Sequence, residues 1–348
     1  MKKKIFLREK DICILSLIVE SYLKEGKPVS SSLISRKSRF SISSATIRNI
    51  MVKLEREGYL YQPYTSAGRI PTDQGLRFYV NGLFEKAFIP DKQISLPSEN
   101  FLMGKGDLTA LLSKVSKILS EYSDNLGFVI SPRISKININ YIRLIQISEG
   151  KVIIILVSSS DLILSKIVET EDYFTQDELD RAARHVNENF RGTNLLLVHD
   201  YLIKEFPQYK LKFEHTINKL MLFLKSYLLQ EEKEDQIFLD GTSKLLEKAE
   251  LFDIKRLKSL LQKIEEKAKL AKLLSDFISL DRVKVLIGSE IDSPEISDCS
   301  LIFSHYGYES QVLGSLGIIG PKRIPYKNII PLVDCVAKKL SYTISFVQ

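Results

Sequence analysis

"SSATIRNIMVKLEREGYLYQPYTSAGRIPTDQGLRFYVN", residues 43–81, holds one helical pattern, a gap with turn chemistry, and a second helical pattern. Ser43 suits the cap of a helix. Ile47, Ile50, Met51 and Leu54 recur at i, i+3, i+4 and i+7, the spacing of one buried helical face, and Gly58 ends the run. At about 100° per residue the opposite face carries Ala45, Asn49, Val52 and Arg56, with Ser44, Arg48 and Lys53 toward its sides. An ordinary solvated face would show Glu and Lys. Here small residues permit close approach, and Arg and Asn supply the bidentate groups that read guanine and adenine edges in a major groove. Ser44, Ala45, Arg48 and Asn49 are therefore candidate base contacts. Lys53 and Arg56 are candidate phosphate contacts.

After Gly58, "YLYQP" alternates like a short strand, "YTSAGRI" (64–70) reads as a loop, and Ile70 begins a return strand. A strand, loop and strand directly behind such a helix form a wing lying along a nucleic-acid backbone. Arg69 at its tip would enter the minor groove or pair with phosphate, and Thr65 and Ser66 would bond phosphate oxygens. Gly68 would supply backbone freedom at the tip.

The residues before this segment complete the pattern. Leu7 to Lys24 reads as a helix with Ile12, Leu15, Val19 and Leu23 inward, stopped by Gly26 and Pro28. Ser30 caps a short second helix that buries Leu33 and Ile34. Two short helices and a tight turn, with that outer face on the second, read as a helix-turn-helix. A three-helix packing module with no ligand is the rival reading, and a winged helix used only for protein contact is another. Residues 1–90 hold 16 Lys/Arg against 8 Asp/Glu, whereas residues 91–348 hold 34 against 35. A basic first quarter on a near-neutral body suggests a nucleic-acid or anionic-membrane contact, and the helix-turn-helix pattern makes double-stranded DNA the expected partner.

The segment 43–81 closely resembles the signature of the bacterial heat-inducible transcription repressors, the HrcA family. The resemblance resumes at "FLDGTSKLLEKAELFD" (238–253), "VLIGSEI" (285–291), "DCSLIFSHY" (298–306) and "GSLGIIGPKRIPY" (314–326). Tyr64, Met51 and Leu76 depart from the family's usual histidine, acidic residue and aromatic residue. The resemblance implies a homodimer that binds the CIRCE inverted repeat upstream of chaperone operons such as groESL and dnaK. It also implies that the chaperonin GroEL modulates the repressor's active state. A small-molecule sensor using a GAF-like domain is the alternative function.

The rest of the chain reads as α+β. Residues 73–88 form a helix closing an N-terminal winged helix-turn-helix domain (1–88), and 89–107 read as a linker rich in Pro, Gly, Ser and Asn. A helix at 108–122 and a strand "LGFVIS" come next. Then "YIRLIQIS", "KVIIILVS" and "DLILSKIVE" (141–169) form an antiparallel meander. Helices follow at 177–190, with Leu179, Ala183 and Val186 inward, at 194–206 and at 211–230. The last is apolar on more than one side, as a subunit interface or a central core helix would be. From 234 the chain alternates: "QIFLDG" as a strand, helix over 243–279, strands "VKVLIGSEI", "CSLIFSHYGY" and "GSLGIIGP", and a closing helix 327–341. The segments 108–139 and 234–348 thus read as one GAF-like α+β domain, interrupted at 140–233 by an inserted α+β dimerising domain.

No enzymatic chemistry is expected. Gly314, Gly317 and Gly320 match neither a dinucleotide nor a phosphate loop and read as strand and turn glycines. His185, His199, His215 and His305 are scattered, and Cys13, Cys299 and Cys335 give no metal-ligand spacing. No catalytic residue, metal or cofactor is assigned. The start "MKKKIFLREKD" has its apolar stretch cut at Arg8, and "ICILSLIV" (12–19) is too short to span a bilayer. A cytoplasmic protein without membrane contact is expected.

Overall fold

Residues 8–38, 42–85, 108–132, 138–159, 163–169, 173–193, 237–265, 283–291, 293, 296–308 and 311–346 are described by the computed structural model. The proposed linker 89–107, the helices at 194–206 and 211–230 and the part of the 243–279 helix beyond residue 265 lie outside them.

Three helices and a small ribbon begin the chain. Helix α1 (Glu9–Glu25) ends on Gly26, whose φ of 69° is the left-handed conformation that glycine adopts without strain. Its inner face is Ile14, Leu15, Ile18 and Val19, rotated from the expected stripe, and Ile12 is exposed. The rotation follows Asp11, which is buried rather than solvated. Helix α2 (Ser31–Lys37) is capped by the Ser30 hydroxyl, and helix α3 (Ser44–Arg56) by that of Ser43, which accepts from the Thr46 N–H at 3.2 Å. Ile47, Met51 and Leu54 are buried, and Ile50 packs at the edge of the same core. Strands β1 (Leu60–Tyr61) and β2 (Ile70–Pro71) pair antiparallel, so the ribbon is shorter than "YLYQP" suggests. Helix α4 (Asp73–Glu85) packs back on α1.

Helix α5 (Leu108–Ser123) leads into strand β3 (Leu126–Ile130). The chain then leaves this sheet. Strands β4 (Ile139–Ser148), β5 (Lys151–Ser158) and β6 (Ile163–Glu169) form the expected antiparallel meander, and helix α6 (Gln176–Phe190) covers one face with Leu179, Ala183 and Val186. Two amides of α6 seal the β4 edge. Asn187 accepts from the Ile142 N–H and donates to its carbonyl, and Gln176 does the same for Gln146 and Leu144. A strand edge so occupied cannot template another strand.

Strand β7 (Ile237–Asp240) returns beside β3, Gly127 facing Asp240 and Ile130 facing Ile237. Helices α7 (Thr242–Glu247) and α8 (Ile254–Glu265) follow, then strands β8 (Lys284–Ile287), β9 (Cys299–Tyr308) and β10 (Gln311–Pro321), and helix α9 (Tyr326–Phe346). The sheet order is β7-β3-β10-β9-β8, antiparallel throughout. Val129, Ile302, Leu316 and Ile318 meet α5 and α9 on one face. Phe128, Leu301, Phe303 and Ile319 meet α7 and α8 on the other. Period-two alternation thus builds three layers from one sheet. Gly317 belongs to this packing: a Cβ there would lie 2.3 Å from the Ile302 carbonyl oxygen. "VKVLIGSEI" is only half strand. It breaks at Ile287, where Gly288 turns at φ 54° into a single 3-10 turn.

Candidate nucleic-acid interface

The turn between α2 and α3 is closed by hydroxyls. Ser35 donates to the Ile42 carbonyl at 2.9 Å, and the Ser31 and Ser44 hydroxyls lie 2.9 Å apart. Ser44 is therefore half-buried and engaged with α2. Ala45, Thr46, Arg48, Asn49 and Arg56 are exposed on the outer side of α3, and Val52 and Lys53 are half-buried. Thr46, absent from the sequence-derived set, lies on the same exposed first turn.

Lys53 does not extend freely. Its ammonium sits 2.6 Å from a carboxylate oxygen of Asp11, a side chain only 7% exposed, and 3.9 Å from Glu57. The pair ties α3 to the first turn of α1. This is why Asp11 faces inward and why α1 rotates from the stripe its hydropathy suggests.

The loop 62–69 is organised from within. The Gln62 amide donates to the carbonyls of Thr65 and Ala67 at 2.8 and 2.9 Å, and the Ala67 N–H donates to Tyr64. Pro63, Tyr64, Thr65 and Ser66 form the exposed tip, with Tyr64 at 63%. The chain then turns inward. Arg69 and Val29 exchange both backbone hydrogen bonds at 2.9 Å. A Cβ on Gly68 would lie 2.4 Å from the Val29 oxygen, so this glycine serves close approach rather than an unusual φ.

That staple corrects the expected position of Arg69. It lies at the base of the loop, not the tip. Its Nε and Nη2 donate to one oxygen of Glu55 at 3.0 and 2.9 Å, with its side chain 14% exposed. The arginine holds the loop against the flank of α3. Glu55, Gln62, Asp11 and Val29 were not singled out from sequence. None carries a local signal, because each partner lies on another element or at the far end of the loop.

The elements thus present one exposed helix face, small at its start and bearing Arg48 and Asn49, beside an exposed polar loop tip fixed to it by an ion pair. Small residues admit a backbone or a base edge, and Arg and Asn supply directed donors and acceptors.

Residues 109–330 match the family model described as "HrcA protein C terminal domain". Proteins called heat-inducible transcription repressor HrcA match nearly the full length. That of Syntrophobacter fumaroxidans is 32% identical over 336 residues, covering 96% of this chain and 97% of its own. That of Thermodesulfovibrio yellowstonii is 32% identical over 344 residues, covering 97% and 98%. A solved structure described as a hypothetical protein at 2.2 Å resolution shares the fold, with a TM-score of 0.65 and 24% identity over 99% of this chain and 100% of that one. The chain belongs to the HrcA family of heat-inducible transcription repressors.

Proposed function

We propose that this protein is a homodimeric DNA-binding repressor of heat-shock chaperone genes, acting at the CIRCE inverted repeat upstream of operons such as groESL and dnaK, with GroEL modulating its activity. The observation that carries the reading is the outer face of α3, where Ala45, Arg48 and Asn49 are exposed beside the loop tip. Residues 1–88 act as a winged helix-turn-helix. Ala45, Arg48 and Asn49 face bases, with Ser44 at the margin, and Arg56, Thr65 and Ser66 take phosphates. Lys53 and Arg69 work chiefly by holding the reading surface in shape, since each is committed to a carboxylate.

The segments 108–139 and 234–348 form the GAF-like domain, a division supported by the pairing of β3 with β7 across the intervening chain. Residues 140–233 are the inserted dimerising domain. Support comes from the meander face opposite α6, where Tyr141, Val157 and Ile163, then Ile145, Ile153 and Ile167, align across the strands with only Arg143 and Ser165 polar among them. A surface of this character marks an association site. Two copies related by two-fold symmetry match an inverted repeat.

Footprinting on the upstream regions of chaperone operons, with and without GroEL, tests the whole reading. Protection of an inverted repeat is expected. Salt-insensitive, sequence-independent binding would leave protein contact as the better account.

A further inference from the structure

The motifs "VLIGSEI" and "GPKRIPY" have no part in the interface above, yet both converge on the start of α4. Asp73, its first residue, receives the Lys322 ammonium at 2.9 Å on one oxygen and the Ser289 N–H at 3.0 Å on the other. One turn on, Arg77 pairs through Nε with Glu290 at 2.6 Å and through Nη2 with the same carboxylate, and it donates to the Val285 carbonyl at 2.5 Å. The second oxygen of Glu290 also accepts from the Ile287 N–H at 2.9 Å, which fixes the carboxylate to its own turn. A third contact lies away from α4. The Arg323 guanidinium donates to the Leu23 and Lys24 carbonyls at 3.4 Å, the unpaired acceptors at the end of α1.

The signs alternate. The α4 side reads minus then plus, and the sheet side reads plus then minus. Sliding α4 by one turn would set Asp73 against Glu290 or Arg77 against Lys322, so only one register pairs every charge. Gly288 permits the approach, since a Cβ there would lie 2.2 Å from an Asp73 oxygen. The grip passes directly to α3. Thr72, the neighbour of Asp73, donates its hydroxyl to the Gly58 carbonyl at 2.6 Å, and its own N–H bonds Tyr59. Gly75 leaves no slack, with a virtual Cβ 2.2 Å from the Tyr59 oxygen. One rigid path therefore runs from the five-stranded sheet through Asp73 and Thr72 to the end of α3.

We infer that Asp73 and Arg77, with Ser289, Glu290 and Lys322, are positioning residues that fix the angle of the reading unit on the C-terminal sheet and so set the half-site spacing a dimer accepts. This rests on the DNA-binding reading proposed above. Neither residue touches DNA in this scheme. Each determines where α3 is presented.

The test uses the full chain and the double variant Asp73→Asn/Arg77→Gln. The probe is the inverted-repeat duplex that the wild-type chain selects from a random pool, remade with its central spacer lengthened or shortened by one to five base pairs, together with a single half-site. Wild type binds one spacer best. The variant is expected to bind that duplex roughly tenfold more weakly, as a loosened link lowers effective concentration, and to lose its preference among spacers. Its half-site affinity stays within about twofold of wild type, which reports an intact reading unit. Hydrogen exchange of the peptide spanning Ser289 rises while that of α3 is unchanged. A variant that keeps the wild-type spacer profile overturns the inference. So does one that loses half-site and full-site affinity equally. Failure of the wild type to select any repeat would instead remove the DNA-binding reading itself.

Discussion

The ion pair between Arg69 and Glu55 separates two roles for the loop arginine. Two N–H groups meet one carboxylate oxygen, with the Arg69 side chain 14% and the Glu55 side chain 32% exposed. Hydrogen bonds to charged groups contribute about 1.5–3 kcal/mol when sheltered, whereas exposed pairs contribute about 0.2–1 kcal/mol. The intermediate exposure places this pair at about 1–2 kcal/mol, a factor of about 5–30 in how well the loop stays docked. The backbone bonds to Val29 remain in any side-chain variant, so that factor is an upper bound. Arg69→Ala is therefore expected to weaken operator binding by up to about 5–30-fold without changing its salt dependence. Glu55→Gln should weaken it in the same direction, and the double variant should be little worse than either single one. The sign for Glu55 is diagnostic, because removing a carboxylate near phosphates would otherwise favour binding. Fluorescence-anisotropy titrations at several salt concentrations give both affinity and slope. The reasoning fails if Glu55→Gln tightens binding, or if Arg69→Ala lowers the salt slope by about one unit, as a lost phosphate contact would.

Arg48→Ala or Asn49→Ala should cost about 1–3 kcal/mol on the selected operator and much less on random DNA, read by competition titration; equal losses would remove the base contacts. Lys53→Met leaves Asp11 buried beside no cation, so it should lower the thermal transition in calorimetry, with its effect largely absent in an Asp11→Asn background. Ile163→Lys with Ile167→Glu should turn a sedimenting dimer into a monomer if the meander face is the interface. Cys299 is buried, and desolvation pushes its thiol up to about 12, so alkylation at pH 8 should spare it until the chain unfolds.

Features set by near neighbours were legible in the sequence. The Ser43 cap, the Ile47–Met51–Leu54 stripe, the meander and the inward residues of α6 all follow from spacing within one element, and each is found in the structure. Features set by distant partners were not. The "VKVLIGSEI" run alternates its apolar residues to Ile291, yet the strand ends at Ile287 because Gly288 turns and Glu290 folds back to bond the Ile287 N–H. Hydropathy holds no record of that. The inner face of α1 was misplaced for the same reason. Asp11 looks like a solvent residue until Lys53 arrives from another helix to pair with it.

The charge of the first ninety residues shows where such reading stops. Its excess of cations over anions suggests an anionic partner, but an excess does not say which cations are available. Lys53 and Arg69, two of the four basic residues assigned to the interface, are each held by a carboxylate from another element. Arg48 and Arg56 are the exposed ones. The acids that take up Lys53 and Arg69 are not a cost to binding. They fix α1, α3 and the loop into one surface, so that under the proposed function the remaining cations and Asn49 would meet DNA already oriented. A preorganised reader with few direct charges should lose affinity less steeply with salt than the formal charge of its first domain suggests. Two free cations per protomer give a dimer a salt slope of about four, rather than the roughly fourteen that an excess of eight per protomer would give, and a slope tracking the full excess would show that the paired cations exchange their carboxylates for phosphates.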